Sequence, residues 1–240
     1  MKLLIVRHGD PDYSIDSLTP QGRIEAELLS RRLCKLPIAA AYVSPLGRAR
    51  DTAAYTLDKL GLFATVCDWL QEFPCRIQRP DSDHTIPWDW LPRDWADEDM
   101  FADAEAWYHH PVMVPGGVKE EFERVAAGLD ELLANHGYRR EGRLYRAVNA
   151  NDDTVVLFCH FGLECVLLSH LLHISPMLLW HGLCAAPSSV TTLVTEEREK
   201  GFAYFRMSAF GDVSHLYAGG QEPSFAGRFC ETYDNADQRH

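Results

Sequence analysis

Val155-Val156-Leu157-Phe158-Cys159 is an unbroken apolar run, and a helix-patterned segment, 162–172, closely follows it. A strand with one wet face alternates apolar and polar side chains, so an unbroken run belongs to a strand covered on both faces. Such strands lie in parallel sheets flanked by helices. Leu3-Leu4-Ile5-Val6 is a second run of this kind. Between the two, strand and helix patterns alternate. A polar loop is expected at 10–18. Thr19-Pro20 then offers a cap with proline at the first helical position, and Ile24, Leu28, Leu29 and Leu33 keep helical spacing as far as Leu36-Pro37. Segment 39–43 reads as a strand closing at Ser44-Pro45, 47–60 as a helix closed by Gly61, and 62–66 as a short strand. Helical periodicity returns at 118–135 through Val118, Phe122, Val125, Leu129 and Leu132, and 190–195 with 202–207 form a last strand pair. This order predicts an α/β fold, a three-layer α/β/α sandwich whose mostly parallel sheet carries helices on both faces.

The 240 residues suffice for a single domain over 1–240 with one sizeable core. Segment 74–117 breaks the alternation: it is rich in proline and acids and holds Trp88, Trp90, Trp95 and Trp107. It is too long for an ordinary connection and reads as an inserted cap segment. A net charge of −12 makes nucleic acid and anionic membranes poor partners. No apolar stretch approaches the roughly 20 residues that cross a bilayer, and the first residues lack the pattern of a secretory leader. The seven cysteines are an odd number with no Cys-x-x-Cys pair, and Cys159 and Cys165 fall in apolar runs. Reduced, mostly buried thiols in a cytoplasmic protein are therefore expected. The polar segment after Gly219 is expected to be loosely attached. A homodimer joined through the insertion or the last strand is open on sequence grounds.

Three apparent strand ends each carry a group suited to an anion. Arg7-His8-Gly9 enters a tight turn at the C-terminal edge of the sheet, where ligands of open α/β sheets bind. Arginine recognises phosphate through a planar fork of donors, and a neutral imidazole is a competent nucleophile. Ser44-Pro45-Leu46-Gly47-Arg48-Ala49 places Arg48 in the first turn of a helix, beside free amides and the positive end of the dipole. Phe158-Cys159-His160-Phe161-Gly162 ends the third strand with a histidine at a helix start. Any one of these is a common turn. Together they predict a phosphate pocket.

In these segments, and in Thr52-Ala53, the chain resembles the histidine phosphatase superfamily, the fold that includes cofactor-dependent phosphoglycerate mutase. Leu18-Thr19-Pro20-x-Gly22 and Gly211-Asp212-Val213-Ser214-His215-Leu216 add to the likeness, which covers all but the insertion and the tail. The resemblance implies a phosphatase acting on a small-molecule phosphomonoester, with His8 as the nucleophile that becomes a phosphohistidine. It implies that Arg7, Arg48 and His160 hold the phosphoryl oxygens, with the Phe161 amide as a further donor. The family often places a glutamate general acid just after the third strand. Glu72 of Leu70-Gln71-Glu72 occupies that place, although Phe73-Pro74-Cys75 replaces the usual glycine-rich context. Asp10, two residues from His8, is the alternative acid. No metal or organic cofactor is implied, since arginines take the part magnesium plays in other phosphoryl-transfer sites.

Two other readings stand beside this one. Mutase-type transfer is disfavoured because Asp10-Pro11-Asp12-Tyr13 departs from the mutase pattern and the insertion lacks a basic run for a second phosphate. A non-catalytic phospholigand-binding protein would be expected to have lost a pocket residue, and none is lost. A phosphoprotein substrate stays open. Arg50 is expected at the surface, on a different side of the helix from Arg48. His170, His173 and His109-His110 read as ordinary core or surface residues, not as metal ligands. The tryptophans read mostly as core, and Asp81-x-Asp83 and Asp97-Glu98-Asp99 as solvated faces. The resemblance implies that the insertion caps the pocket, where its acids would disfavour strongly anionic leaving groups.

Overall fold

The computed structural model describes residues 1–79, 83, 85–225 and 231–235. Strand β1 (Lys2–Arg7) leads into a small pair, β2 (Pro11–Asp12) and β3 (Ser17–Leu18), where a plain loop was expected. Helix α1 (Pro20–Leu33), β4 (Ile38–Val43), α2 (Gly47–Leu60) and β5 (Ala64–Val66) follow. The Thr19 hydroxyl accepts the Gly22 N–H at 3.0 Å and caps α1, whereas α2 stops at Gly61, whose φ of 64° suits glycine. The insertion contributes the short helices α3 (Pro92–Trp95) and α4 (Asp99–Ala102). Then come α5 (Val118–Asn135), β6 (Tyr138–Glu141), β7 (Leu144–Ala147), β8 (Thr154–Cys159), α6 (Phe161–Leu172) and α7 (Pro176–Gly182). The long strands β9 (Val190–Glu199) and β10 (Phe202–Asp212) precede α8 (Ser214–Ala218).

The strands form one sheet in the order β5-β4-β8-β1-β9-β10-β7-β6. The half from β5 to β1 is parallel, and β9 onward extends it antiparallel. Along β1 and β8 successive side chains enter opposite cores, as the pleat requires. Leu3, Ile5, Val155, Leu157 and Cys159 pack with Leu129 and Leu133 of α5 and Leu163 and Leu167 of α6. Leu4, Val6, Val156 and Phe158 pack with Leu29 and Leu33 of α1 and Ala49 and Ala53 of α2. Burying each large apolar side chain is worth roughly 1.5–3 kcal/mol, so the two-sided run is what holds helices to both faces.

The hairpin β6–β7 and helices α7 and α8 were not evident in the sequence. Tyr-Arg-Arg-Glu and Leu-Tyr-Arg-Ala carry charges because they sit at the sheet edge, where one face meets solvent. Trp90, Phe101 and Trp107 of the insertion join the core beneath α5 and α6, and Trp107 meets Trp180 of α7 edge-on at 5.5 Å. Trp88 and Trp95 are only half-buried. The tail is better attached than expected as far as residue 225: the Ser224 hydroxyl donates to Asp10 at 2.7 Å. Of the six described cysteines, Cys75, Cys159 and Cys165 are buried and Cys184 is exposed. Asp81 lies outside the described residues, while Asp83, Asp97 and Asp99 are exposed.

Candidate active site

The parallel order β4-β8-β1 brings three strand ends to one edge, with Arg7 in register with Cys159 and Val43 with Phe158. One residue beyond each end, the ladder continues: His8 N–H donates to Cys159 O at 3.0 Å and Ser44 N–H to Phe158 O at 2.9 Å. His8, Ser44 and His160 therefore meet, and the His8 and His160 rings lie 5.1 Å apart. Arg7, His8 and His160 are buried, and Arg48 nearly so.

Each side chain is tied on one side and open on the other. His8 Nδ1 bonds to its own neighbour, Gly9 O, at 2.8 Å, which makes Nδ1 the protonated nitrogen and leaves Nε2 with its lone pair. Burial, then the positive charge of Arg7 and Arg48, holds the His8 ring well below its ordinary pKa, hence neutral. Arg7 donates through Nη1 to Ala185 O, while its buried Nε has no protein partner. Arg48 pairs through Nη1 with Asp16 at 2.6 Å and lies under the Tyr13 ring, and its buried Nε is also unpartnered. The other Asp16 oxygen accepts the Gly47 N–H at 2.7 Å, so that carboxylate clips the β2–β3 loop to the start of α2. His160 Nε2 bonds to the Ser44 hydroxyl at 2.8 Å, and its buried Nδ1 has no partner. Burial, with His8 and both arginines nearby, keeps His160 neutral too.

Buried polar groups are nearly always paired, so three nitrogens near one imidazole, each without a partner among the described residues, suit an anion. The Phe161 N–H belongs to the first turn of α6, whose amides have no intrahelical partner. Glu72 reaches the same helix end: its Oε1 accepts the Phe73 and Leu163 N–H groups, both at 3.0 Å. Burial raises its pKa against the pull of those amides and of Arg7 and Arg48. Asp10 is tied to its neighbours. Its two oxygens accept the Thr19 and Ser224 hydroxyls at 2.7 Å each, and its N–H is held by Glu25.

Several contributors escaped sequence reasoning. Asp16 and Tyr13 lay in an unpatterned loop. Ser44 was noted as a strand end and not as the partner of His160. Glu25 and Glu164 are buried near Arg7, and burial pushes both up to about 7. A lone acid inside the otherwise apolar α6 was the signal for Glu164. His170 pairs with Asp130 at 2.9 Å and His173 lies beside Arg140, both at the far end of α6. Arg50 and His109 are exposed as expected, whereas His110 is half-buried against Phe101.

Comparison with known proteins agrees with this geometry. The family model of the histidine phosphatase superfamily (branch 1) matches residues 3–207. A curated relative, putative phosphoserine phosphatase 2 of Hydrogenobacter thermophilus, is 32% identical over 148 residues, covering 56% of this chain and 68% of the relative. A mutant phosphoserine phosphatase from Entamoeba histolytica, solved with phosphoserine, superposes with TM-score 0.60 at 19% identity over 90% of this chain and 98% of its own. A mycobacterial glucosyl-3-phosphoglycerate phosphatase complexed with VO3 superposes with TM-score 0.57 at 24% identity, over 87% and 98% of the two chains. The chain belongs to the histidine phosphatase superfamily, branch 1.

Proposed function

We propose that the protein is a phosphatase that hydrolyses a small-molecule phosphomonoester through a phosphohistidine at His8. The observation that carries this reading is the ring of buried, unpartnered nitrogens, Arg7 Nε, Arg48 Nε and His160 Nδ1, around a neutral His8. In the first step His8 Nε2 attacks phosphorus, the bond to the ester oxygen breaks, and the Glu72 carboxyl gives its proton to that oxygen. In the second, water attacks phosphorus, Glu72 takes the water proton, and the phosphorus–nitrogen bond breaks to release phosphate. Arg7, Arg48 and His160 hold the equatorial oxygens through both steps, and fixed cations in a dry site supply most of the stabilisation such transfer needs. Small phosphomonoesters such as phosphoserine are supported as substrates by the relatives, which include phosphoserine phosphatases.

The test is release of inorganic phosphate from a panel of phosphomonoesters, 3-phosphoglycerate included, with rapid acid-free quenching to trap label on the protein. Label on His8 and free phosphate as product are expected. Isomerisation to 2-phosphoglycerate without phosphate release would overturn the phosphatase reading.

Ser44 supplies a second check. Its Oγ accepts the Leu46 N–H at 3.2 Å and bonds to His160 Nε2 at 2.8 Å; with the hydroxyl as donor in that second bond, the His160 proton sits on Nδ1, toward the phosphoryl group. Ser44→Ala is expected to lower kcat/KM roughly ten- to a hundredfold, measured by steady-state kinetics. An unchanged value would show that packing alone orients His160.

A further inference from the structure

We propose that Trp88, carried by the insertion, is a positioning residue that walls Glu72 from water and makes the insertion part of the catalytic site. The inference rests on the reading of Glu72 as the general acid. Its geometric basis is Gly162, the second residue of α6. A Cβ there would lie 2.7 Å from Glu72 Oε1, closer than real Cβ contacts come, and 3.2 Å from Trp88 Cζ2, a tight approach. The carboxylate and the indole edge therefore close over the same backbone atom, two residues from His160.

The indole is held in place by its surroundings. The Trp88 ring packs on Trp180 at 5.8 Å and Phe73 at 6.4 Å, and Trp180 Nε1 donates to Gly162 O at 2.9 Å. Just beyond it the insertion is pinned to α7: Trp90 N–H donates to His181 at 3.1 Å, and Trp95 stacks on the same imidazole. Trp90, Phe101, Trp107 and Met113 are buried in the core beneath, whereas Trp88 is half-buried at its margin.

An apolar wall matters because proton delivery requires the acid to be neutral at working pH. Arg7 from β1 and Arg48 from α2 favour the carboxylate, and Glu164 from α6 opposes it. The buried thiols Cys159 and Cys165 stay protonated beside it. Desolvation is the largest influence and holds Glu72 above its ordinary range. Water admitted at Glu72 would solvate the carboxylate and lower its proton affinity.

The experiment compares kcat/KM across pH for an alkyl phosphate and for p-nitrophenyl phosphate, in the intact protein, Trp88→Ala, Trp88→Phe and Glu72→Gln. An alkoxide needs the acid's proton to leave, and nitrophenolate does not. Trp88→Ala is expected to lower the alkyl-to-aryl ratio about tenfold and to move the basic limb of the alkyl profile to lower pH. Trp88→Phe should recover most of both. An unchanged ratio in Trp88→Ala, with a lowered one in Glu72→Gln, would overturn the role of Trp88 alone. An unchanged ratio in Glu72→Gln would overturn the acid assignment itself. If Trp88→Ala does not fold, Trp88→Leu makes the same comparison with an apolar side chain of shorter reach.

Discussion

His8→Ala is expected to lose phosphomonoester turnover by at least about four orders of magnitude, together with any label trapped on the protein. His8 is the buried imidazole whose Nδ1 proton is fixed on Gly9 O, in a site where Arg7, Arg48 and His160 each keep a buried nitrogen without a partner among the described residues. An alanine keeps the backbone bonds to Cys159 and Ser188, so the turn that carries it survives. Arg7, Arg48 and His160 also survive, so inorganic phosphate should still bind. Steady-state kinetics and phosphate titration on one preparation separate the two effects. Turnover within about tenfold of the intact protein would remove His8 as nucleophile and leave direct attack by water, with the same pocket as a clamp.

The second large effect is expected at a residue that touches no substrate. A Cβ on Gly22 would lie 2.2 Å from Asp10 O and 2.9 Å from Asp10 N. Both are backbone atoms of the turn that carries His8, and neither can swing aside as a flexible side chain does. The turn cannot retreat easily. Gly9 N–H is tied to the Thr52 hydroxyl at 2.9 Å, Asp10 O accepts Thr19 N–H, and Asp10 N–H is held by Glu25. Gly22→Ala must therefore push α1 off the turn or the turn off the sheet. A loss of roughly 2–3 kcal/mol of stability is expected, with kcat/KM falling at least about tenfold as His8 is displaced. Chemical denaturation and kinetics check the two parts. A variant as stable and active as the parent would mean that α1 slides without cost.

The gathering of Arg7, His8, Arg48 and His160 was legible in the sequence because its members follow strands that announce themselves. An apolar run covered on both faces has few places to go except the interior of a parallel sheet, so Arg7, His8 and His160 had to emerge at the ligand-binding edge. The helix start at Arg48 was equally readable, since strand end, proline and helix pattern adjoin. The fine structure of the site was not readable. The sequence offers Glu72 as the acid with Asp10 as the alternative, and it does not show that Asp10 bonds to Thr19 and Ser224 or that Glu72 lies against the amides of Phe73 and Leu163. Ser224 is 214 residues from Asp10 and Leu163 is 91 from Glu72, separations that no local pattern records.

The same division holds for the whole protein. Local pattern determined the alternating strands and helices, the parallel half of the sheet and the four residues that gather at its edge, because burial on two faces leaves a direct imprint on residue order. Tertiary structure alone decided that charged segments 138–141 and 144–147 would extend the sheet, and that Asp16 would hold Arg48. It alone set Trp88 and Glu72 together against Gly162 at the start of α6. Edge pairing, loop closure and a single aromatic contact depend on which surfaces remain once the core has formed, and no periodicity in the chain records them.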